Sequence, residues 1–415
     1  MFFLDDPETI RHGYYLINDN IKTLSKFEAF QLSGKDWSKI KFIFNDDVFE
    51  KYDWTVEPTE DIYELYRQRA QQLREKYDYL VLMYSGGIDS HTVLETFLQN
   101  NIKLDEICSF STSDVVSKTD KLNQEIFNSA LPFVNTLDKT KTSIVFRNVE
   151  IGKLIIDSWN DEFHCENFQY YTSNAQWVTV ARSNKLKFSI KEHMALTEKG
   201  KTICYIWGAE KPSLTIQENK YALRVVDAAV DFGTREYINR TINKDKFSNF
   251  YDEAFYICRD FPKISIKQAH LLVKLINTIP NTDNRVCDST ELPSTGPYVT
   301  HHIVDNNTKF LTKKTVDGCI YPNAILNRFG DDKLYNSSLI LTPKDDWFAL
   351  SNHPNRWRFE NQLRKVISEN MNYFKYNYSD DYRFFKNEKH KNIIPVKAVP
   401  IASQLYFIKE VQHNE

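Results

Sequence analysis

The chain has 415 residues, 41% of them hydrophobic and 26% charged, a length and balance that suit two or three globular domains and exclude both a miniprotein and a disordered chain. A formal net charge of -3 and a pI near 6.4 provide no global electrostatic drive toward nucleic acid, which is therefore not a favoured partner. Six cysteines, at 108, 165, 204, 258, 287 and 319, form no C-x-x-C and lack the paired spacing of structural zinc, so they read as reduced, buried thiols.

Met1-Phe2-Phe3-Leu4-Asp5-Asp6 lacks the basic and then apolar regions of a signal peptide. No apolar run approaches the roughly 18 residues that would span a bilayer. A cytoplasmic protein with no membrane partner is the expectation. Residues 1–75 read as an N-terminal extension in which apolar clusters at 27–30 and 40–44 alternate with polar loops. Its last part, 61–76, carries Ile62, Leu65, Tyr66, Ala70 and Leu73 at helical spacing, with Thr59 as the expected cap.

The continuous apolar run 79–84 has the pattern of a strand covered on both faces. After a Ser-Gly-Gly turn, Val93, Leu94, Phe97 and Leu98 restore helical spacing over 90–100. Further strands are expected at 106–111, 143–149 and 202–207, separated by helical segments that include 121–133 and 173–183. This alternation predicts an α/β domain over 76–230, a parallel twisted sheet with helices on both faces. From 231 to 415 the chain changes to a helix at 265–277 and then to aromatic, Asn-rich sequence broken by prolines, and a mainly helical substrate or interaction domain is expected there. No internal repeat or low-complexity tract is visible.

The informative segment is Ser85-Gly86-Gly87-Ile88-Asp89-Ser90, which spends two adjacent glycines in a chain that has only 11. Placed between a buried strand and a helix, Gly86 and Gly87 allow a tight turn and close backbone approach to an anion. The helix directs its unpaired N–H groups and partial positive charge at the same point. Ser85 and Ser90 add hydroxyls, and Asp89 can orient a hydroxyl or hold Mg²⁺ against phosphate oxygens. The pattern is neither the Walker loop nor the dinucleotide G-x-G-x-x-G. A second glycine follows the strand expected at 202–207, in Trp207-Gly208-Ala209-Glu210-Lys211, and strand carboxyl ends surround the ligand in open α/β sheets.

These residues are similar to the S-G-G-x-D-S hallmark of the PP-loop ATP pyrophosphatases. That superfamily includes asparagine synthetase, GMP synthetase, NAD synthetase, 7-cyano-7-deazaguanine synthase and several tRNA thiolases. The resemblance covers about residues 76–212 and implies an adenine nucleotide α-hydrolase-like fold of the HUP type. It also implies ATP and Mg²⁺ as cofactors, with the pyrophosphate part held by Ser85, Gly86, Gly87, Asp89 and Ser90. By the same resemblance Ser111 and Gly208 line the nucleotide, Asp89 and Glu210 serve the metal, and Asp89 and Lys211 are the catalytic candidates. Arg182, Lys191, His193 and Arg224 are weaker phosphate candidates, better read as solvated or core-satisfied side chains. Two segments, 267–270 and 403–409, resemble uncharacterised PP-loop proteins of large tailed phages, which would place the chain in a host cytoplasm. The pairs His301-His302, Asp331-Asp332, Asp345-Asp346 and Asp380-Asp381 point different ways and do not suggest a metal site.

Departures from the family narrow the reading. Phe2 stands where a glutaminase would carry its nucleophilic cysteine, and the cysteine sets of 7-cyano-7-deazaguanine synthase and of one thiolase class are missing. The expectation is an AMP-forming ligase or amidotransferase-like synthetase that adenylates a carboxylate or carbonyl and then transfers an amine from an unidentified donor. The alternatives are an enzyme thiolating or aminating a nucleobase in tRNA or DNA, and a non-catalytic ATP-binding regulator.

Overall fold

The computed structural model describes residues 4, 7–24, 28–29, 32–34, 36–111, 113–114, 117–118, 123, 126–137, 143–150, 190–208, 213–225, 227, 230–237, 248–277, 384–387, 392–395 and 401–411. Near the N-terminus β1 (Tyr14–Ile17), β2 (Ile21–Thr23) and β3 (Ile40–Ile43) form an antiparallel sheet of order β2-β1-β3. Helix Ile62–Lys76 follows. Its cap is Asp61 and not the expected Thr59: the Glu64 N–H donates to the Asp61 carboxylate at 2.8 Å, whereas the Thr59 hydroxyl turns to Glu60.

The later strands are β4 (Tyr79–Met83), β5 (Glu106–Ser111), β6 (Val145–Glu150), β7 (Ile203–Trp207), β8 (Ser213–Gln217), β9 (Lys220–Arg224), β10 (Phe250–Ala254), β11 (Phe384–Asn387), β12 (Asn392–Pro395) and β13 (Tyr406–Glu410). Five of them form a parallel sheet of order β10-β7-β4-β5-β6, so the fold is α/β. The chain enters at the centre with β4, moves outward through β5 and β6, and returns to the other side of β4 with β7. Strand order therefore reverses between β4 and β7.

Alternation along the strands assigns the two faces. Leu80, Leu82, Ile107, Cys204 and Ile206 join a core with Leu65, Leu73, Val93 and Phe97 of helices Ile62–Lys76 and Ile88–Gln99. Val81, Met83, Cys108 and Tyr205 pack instead with Ile190 and with Met194 and Leu196 of helix Lys191–Glu198. Helices thus cover both faces, which is why β4 is apolar throughout.

The sheet extends past the expected boundary at 230, because β10 supplies its edge. That strand carries Asp252 and Glu253, both fully buried. The Glu253 carboxylate receives Arg11 at 2.7 Å, Arg69 at 3.0 Å, Lys76 at 3.2 Å and the Tyr77 hydroxyl at 2.5 Å. Burial alone would raise its pKa, but the cations outweigh burial and hold it well below the ordinary carboxylate value. The exposed side of the strand is closed by side chains: the Asp252 N–H donates to Glu236 at 2.6 Å, and Arg11 donates to the Asp252 carbonyl at 3.0 Å. Such cover protects a sheet edge from further pairing.

Beyond residue 230 the described residues are not all helical. They include helices Val230–Tyr237 and Lys263–Asn277, but also β10, the antiparallel pair β11 and β12, and β13, which joins β9 in a sheet of order β13-β9-β8. Where a helix is expected at 121–133, a π-helical turn, Ile126–Ala130, runs into helix Leu131–Thr136. The helix expected at 173–183 lies outside the described residues. Among the described residues no helix is long and apolar enough to cross a membrane.

Candidate functional site

The strand-order reversal places two segments side by side at the strand carboxyl ends. The loop after β4 carries Ser85 to Ser90, and Gly208 follows β7. Gly86 adopts φ +88°, the left-handed region, and a Cβ there would stand 2.7 Å from the Ala130 backbone nitrogen. Both conformation and space therefore call for glycine. At Gly208 the requirement is space alone: a Cβ would meet the Ser90 Cα and N at 2.8 Å and the Asp89 carbonyl carbon at 2.9 Å.

Helix Ile88–Gln99 starts from Gly87 with no side-chain cap. Helix Ile62–Lys76, by contrast, has its first turn closed by Asp61. Gly87 has no side chain that could close this turn, so the cap residue itself does not compete with an anion at the helix start. The loop carbonyls are engaged from within the protein. Ser109 Oγ donates to the Tyr84 carbonyl at 2.6 Å, Ser129 Oγ to Gly86 at 2.8 Å, and Tyr256 Oη to Asp89 at 2.6 Å. Ser90 Oγ donates to the Gly87 carbonyl at 3.2 Å. These bonds occupy carbonyl oxygens of the loop, which lessens the negative lining an anion would meet at the helix start.

The two serines differ in role. Ser90 is buried, and its hydroxyl closes the loop by accepting the Ser85 N–H at 3.3 Å and meeting Ser85 Oγ at 3.1 Å. Ser85 is exposed, and its hydroxyl accepts the Gly87 N–H at 3.1 Å. Asp89, half-buried in the first turn, is the acidic residue there. Ser111 ends β5, adjacent to β4, and is buried. Its hydroxyl meets Ser113 at 3.1 Å, and Ser113 donates to Glu150 at 2.8 Å. Glu150 also lines a cleft with Arg147, Asn148, Val149 and Ile190.

Glu210, Lys211 and Arg182 lie outside the described residues, as do His301, His302 and the paired aspartates at 331, 345 and 380. Lys191 is exposed at the start of its helix, and Arg224 sits in the sheet of β8, β9 and β13. His193 is fully buried and core-satisfied: Nε2 lies 2.9 Å from Glu106 Oε2, and Nδ1 lies 2.8 Å from the Tyr205 hydroxyl. Glu106 begins β5, at the end of the sheet opposite the loop. Burial raises its pKa, but hydrogen bonds from His193 and Arg147 prevail and lower it. Among the described residues no group of three or more His, Cys, Asp or Glu could hold a metal ion.

The two segments 267–270 and 403–409 have structural work. Lys267 pairs with Glu57 at 2.8 Å, Gln268 donates to the Tyr66 hydroxyl at 2.8 Å, and His270 lies 3.0 Å from the Trp54 carbonyl. Gln404 donates to Glu50 at 2.8 Å, and Tyr406 donates to Asp46 at 3.0 Å. Sequence reading did not find Tyr256 or Ser129, because nothing local marks a residue that serves a loop more than 40 positions away, 167 for Tyr256 and 43 for Ser129. No protein-family model matches the chain, and no curated protein matches it significantly.

Proposed function

We propose that the chain binds ATP at Ser85-Gly86-Gly87-Ile88-Asp89-Ser90 and splits it to AMP and pyrophosphate while activating a second substrate. The observation that carries this reading is the position of a side-chain-uncapped helix start and its glycine loop at the point where strand order reverses. The sheet order suits the HUP type of α/β fold expected from the PP-loop resemblance. In this reading the start of the loop helix and the Ser85 hydroxyl hold the pyrophosphate part, Ser90 keeps the loop closed, and Ser111 borders the nucleoside end. The carboxylate or carbonyl oxygen of the second substrate attacks the α-phosphorus, and an amine then displaces AMP. Catalysis is positioning and charge neutralisation, with no side-chain nucleophile.

Mg²⁺ fits this donor set, because it is usually held by one or two carboxylates together with phosphate oxygens and not by a protein cage. Asp89 is the carboxylate at the loop, Glu210 the second by resemblance, and the bound ion would neutralise the departing pyrophosphate. Lys211, three positions after Gly208, is assigned to the same charge. Thiolation of a nucleobase is the less favoured reading: Cys108, Cys204 and Cys258 are buried thiols whose pKa burial raises, which leaves no reactive thiolate among them.

Incubation with α-labelled ATP, Mg²⁺ and pools of acids and amines tests the reading. AMP and pyrophosphate are the expected products, abolished by Asp89→Ala and strongly reduced by Ser85→Ala. ADP as the sole product refutes AMP-forming chemistry. ATP binding with no turnover in any pool favours the regulator.

A further inference from the structure

We infer that Tyr256 is a positioning residue for the nucleotide loop, registering it against a cluster built by helices Ile62–Lys76 and Lys263–Asn277; the inference rests on the ATP-binding reading above. Tyr256 follows β10 by two positions and is fully buried. Its hydroxyl donates to the Asp89 carbonyl at 2.6 Å, in the first turn of the loop helix. Gly208 lies against the same peptide unit, 2.9 Å from the Asp89 carbonyl carbon and 2.8 Å from the Ser90 nitrogen when measured from its Cβ position. The Asp89–Ser90 peptide is therefore held both by the end of β7 and by the residue just past β10.

The anchor for that grip is rigid. The Tyr256 ring packs edge-on against Tyr66 of helix Ile62–Lys76, with centroids 5.5 Å apart, and against Phe255 at 5.2 Å. Its carbonyl accepts from Ser265 Oγ at 3.3 Å, and Gln268 donates to the Tyr66 hydroxyl at 2.8 Å, both from helix Lys263–Asn277. The hydroxyl thus joins the loop helix to a cluster built from two other helices. A carbonyl in a helix's first turn already serves the intrahelical ladder, so the additional donor is not needed to form the helix. What it supplies is register: the amides of the same turn are fixed relative to the sheet. Prior fixing of such groups is what anion recognition and in-line displacement demand.

Tyr256→Phe keeps the ring and removes only the hydroxyl. Two readouts are taken: amide exchange across residues 84–91 in the free protein, and the affinity for ATP with Mg²⁺ by calorimetry. The expected result is faster exchange across the loop and ATP binding weakened about threefold to tenfold, the range for one lost hydrogen bond. Tyr221→Phe, in the sheet of β8, β9 and β13, loses its Asn277 partner and takes no part in the anchor, and it is expected to leave ATP affinity unchanged. Unchanged exchange and affinity in Tyr256→Phe overturn the inference, as does an equal loss in both variants, which would show general softening. A lowered melting temperature with unaltered ATP affinity also overturns it. If the wild-type chain does not bind ATP, the nucleotide reading fails by itself, and loop exchange alone then decides whether Tyr256 sets the register.

Discussion

Gly208→Ala is a direct test of how tightly the loop is held. The backbone at 208 is not in the left-handed region, so alanine meets no conformational penalty and the substitution reports on space alone. Its methyl would stand 2.8 Å from two backbone atoms of Ser90, where ordinary contact begins near 3.4 Å. The loop helix or the end of β7 must therefore yield by about 0.6 Å, the difference between those distances. Overpacking against backbone typically costs about 1–3 kcal/mol. A displacement of that size also moves amide donors from a good hydrogen-bond distance toward the limit of one, so ATP affinity is expected to fall by about tenfold or more. Urea unfolding gives the first quantity and calorimetric titration with Mg-ATP the second. Stability within about 0.5 kcal/mol of wild type, together with unaltered ATP binding, would refute the reasoning.

Gly86→Ala combines a positive φ with a 2.7 Å approach to the Ala130 nitrogen, so its unfolding penalty should be larger, about 2–5 kcal/mol by urea midpoint. Glu253→Gln leaves Arg11 and Arg69 buried with a neutral partner and should cost about 3–5 kcal/mol at pH 7. Because the folded carboxyl pKa is depressed, this stabilisation is present above the unfolded value of about 4.3 and is lost as pH falls below it. Unfolding curves of wild type and Glu253→Gln should accordingly converge in acid, and a gap that stays constant to pH 2.5 would contradict the charge account. Cys108, Cys204 and Cys258 should resist iodoacetamide at pH 8 in the native protein and react in urea, as peptide mass mapping would record.

Local periodicity was enough to place the central strands and the first long helix. The run 79–84 is apolar because β4 is covered on both faces, and Ile62, Leu65, Tyr66, Ala70 and Leu73 recur at helical spacing because one side of their helix is buried. The loop glycines were legible for the same reason: their role is set by immediate neighbours. β10 was not, since Phe250-Tyr251-Asp252-Glu253-Ala254 alternates neither way in hydrophobicity, and its acids are buried only because Arg11, Arg69, Lys76 and Trp207 meet them from distant positions. The β8–β9 hairpin was hidden differently. Its turn places Glu218 and Asn219 at φ 51° and 59°, without the Asn-Gly signal that usually marks such a turn. Tyr256 shows the same limit at the site itself, because a single tyrosine carries no local mark of the loop it reaches.

The pairing of Arg11 with β10 also constrains the order in which the molecule can assemble. Arg11 and Asp252 are 241 positions apart, and buried Arg11 takes its 2.7 Å carboxylate partner, Glu253, from the same strand. During synthesis the N-terminal segment must therefore wait until β10 has left the ribosome before the sheet edge can close. Contacts of such long sequence separation slow folding, because the entropy of closing the loop between them is lost before the contact stabilises anything. The Asp89 carbonyl, which accepts the hydroxyl of Tyr256 two positions beyond that same strand, gains this partner only after β10 has emerged.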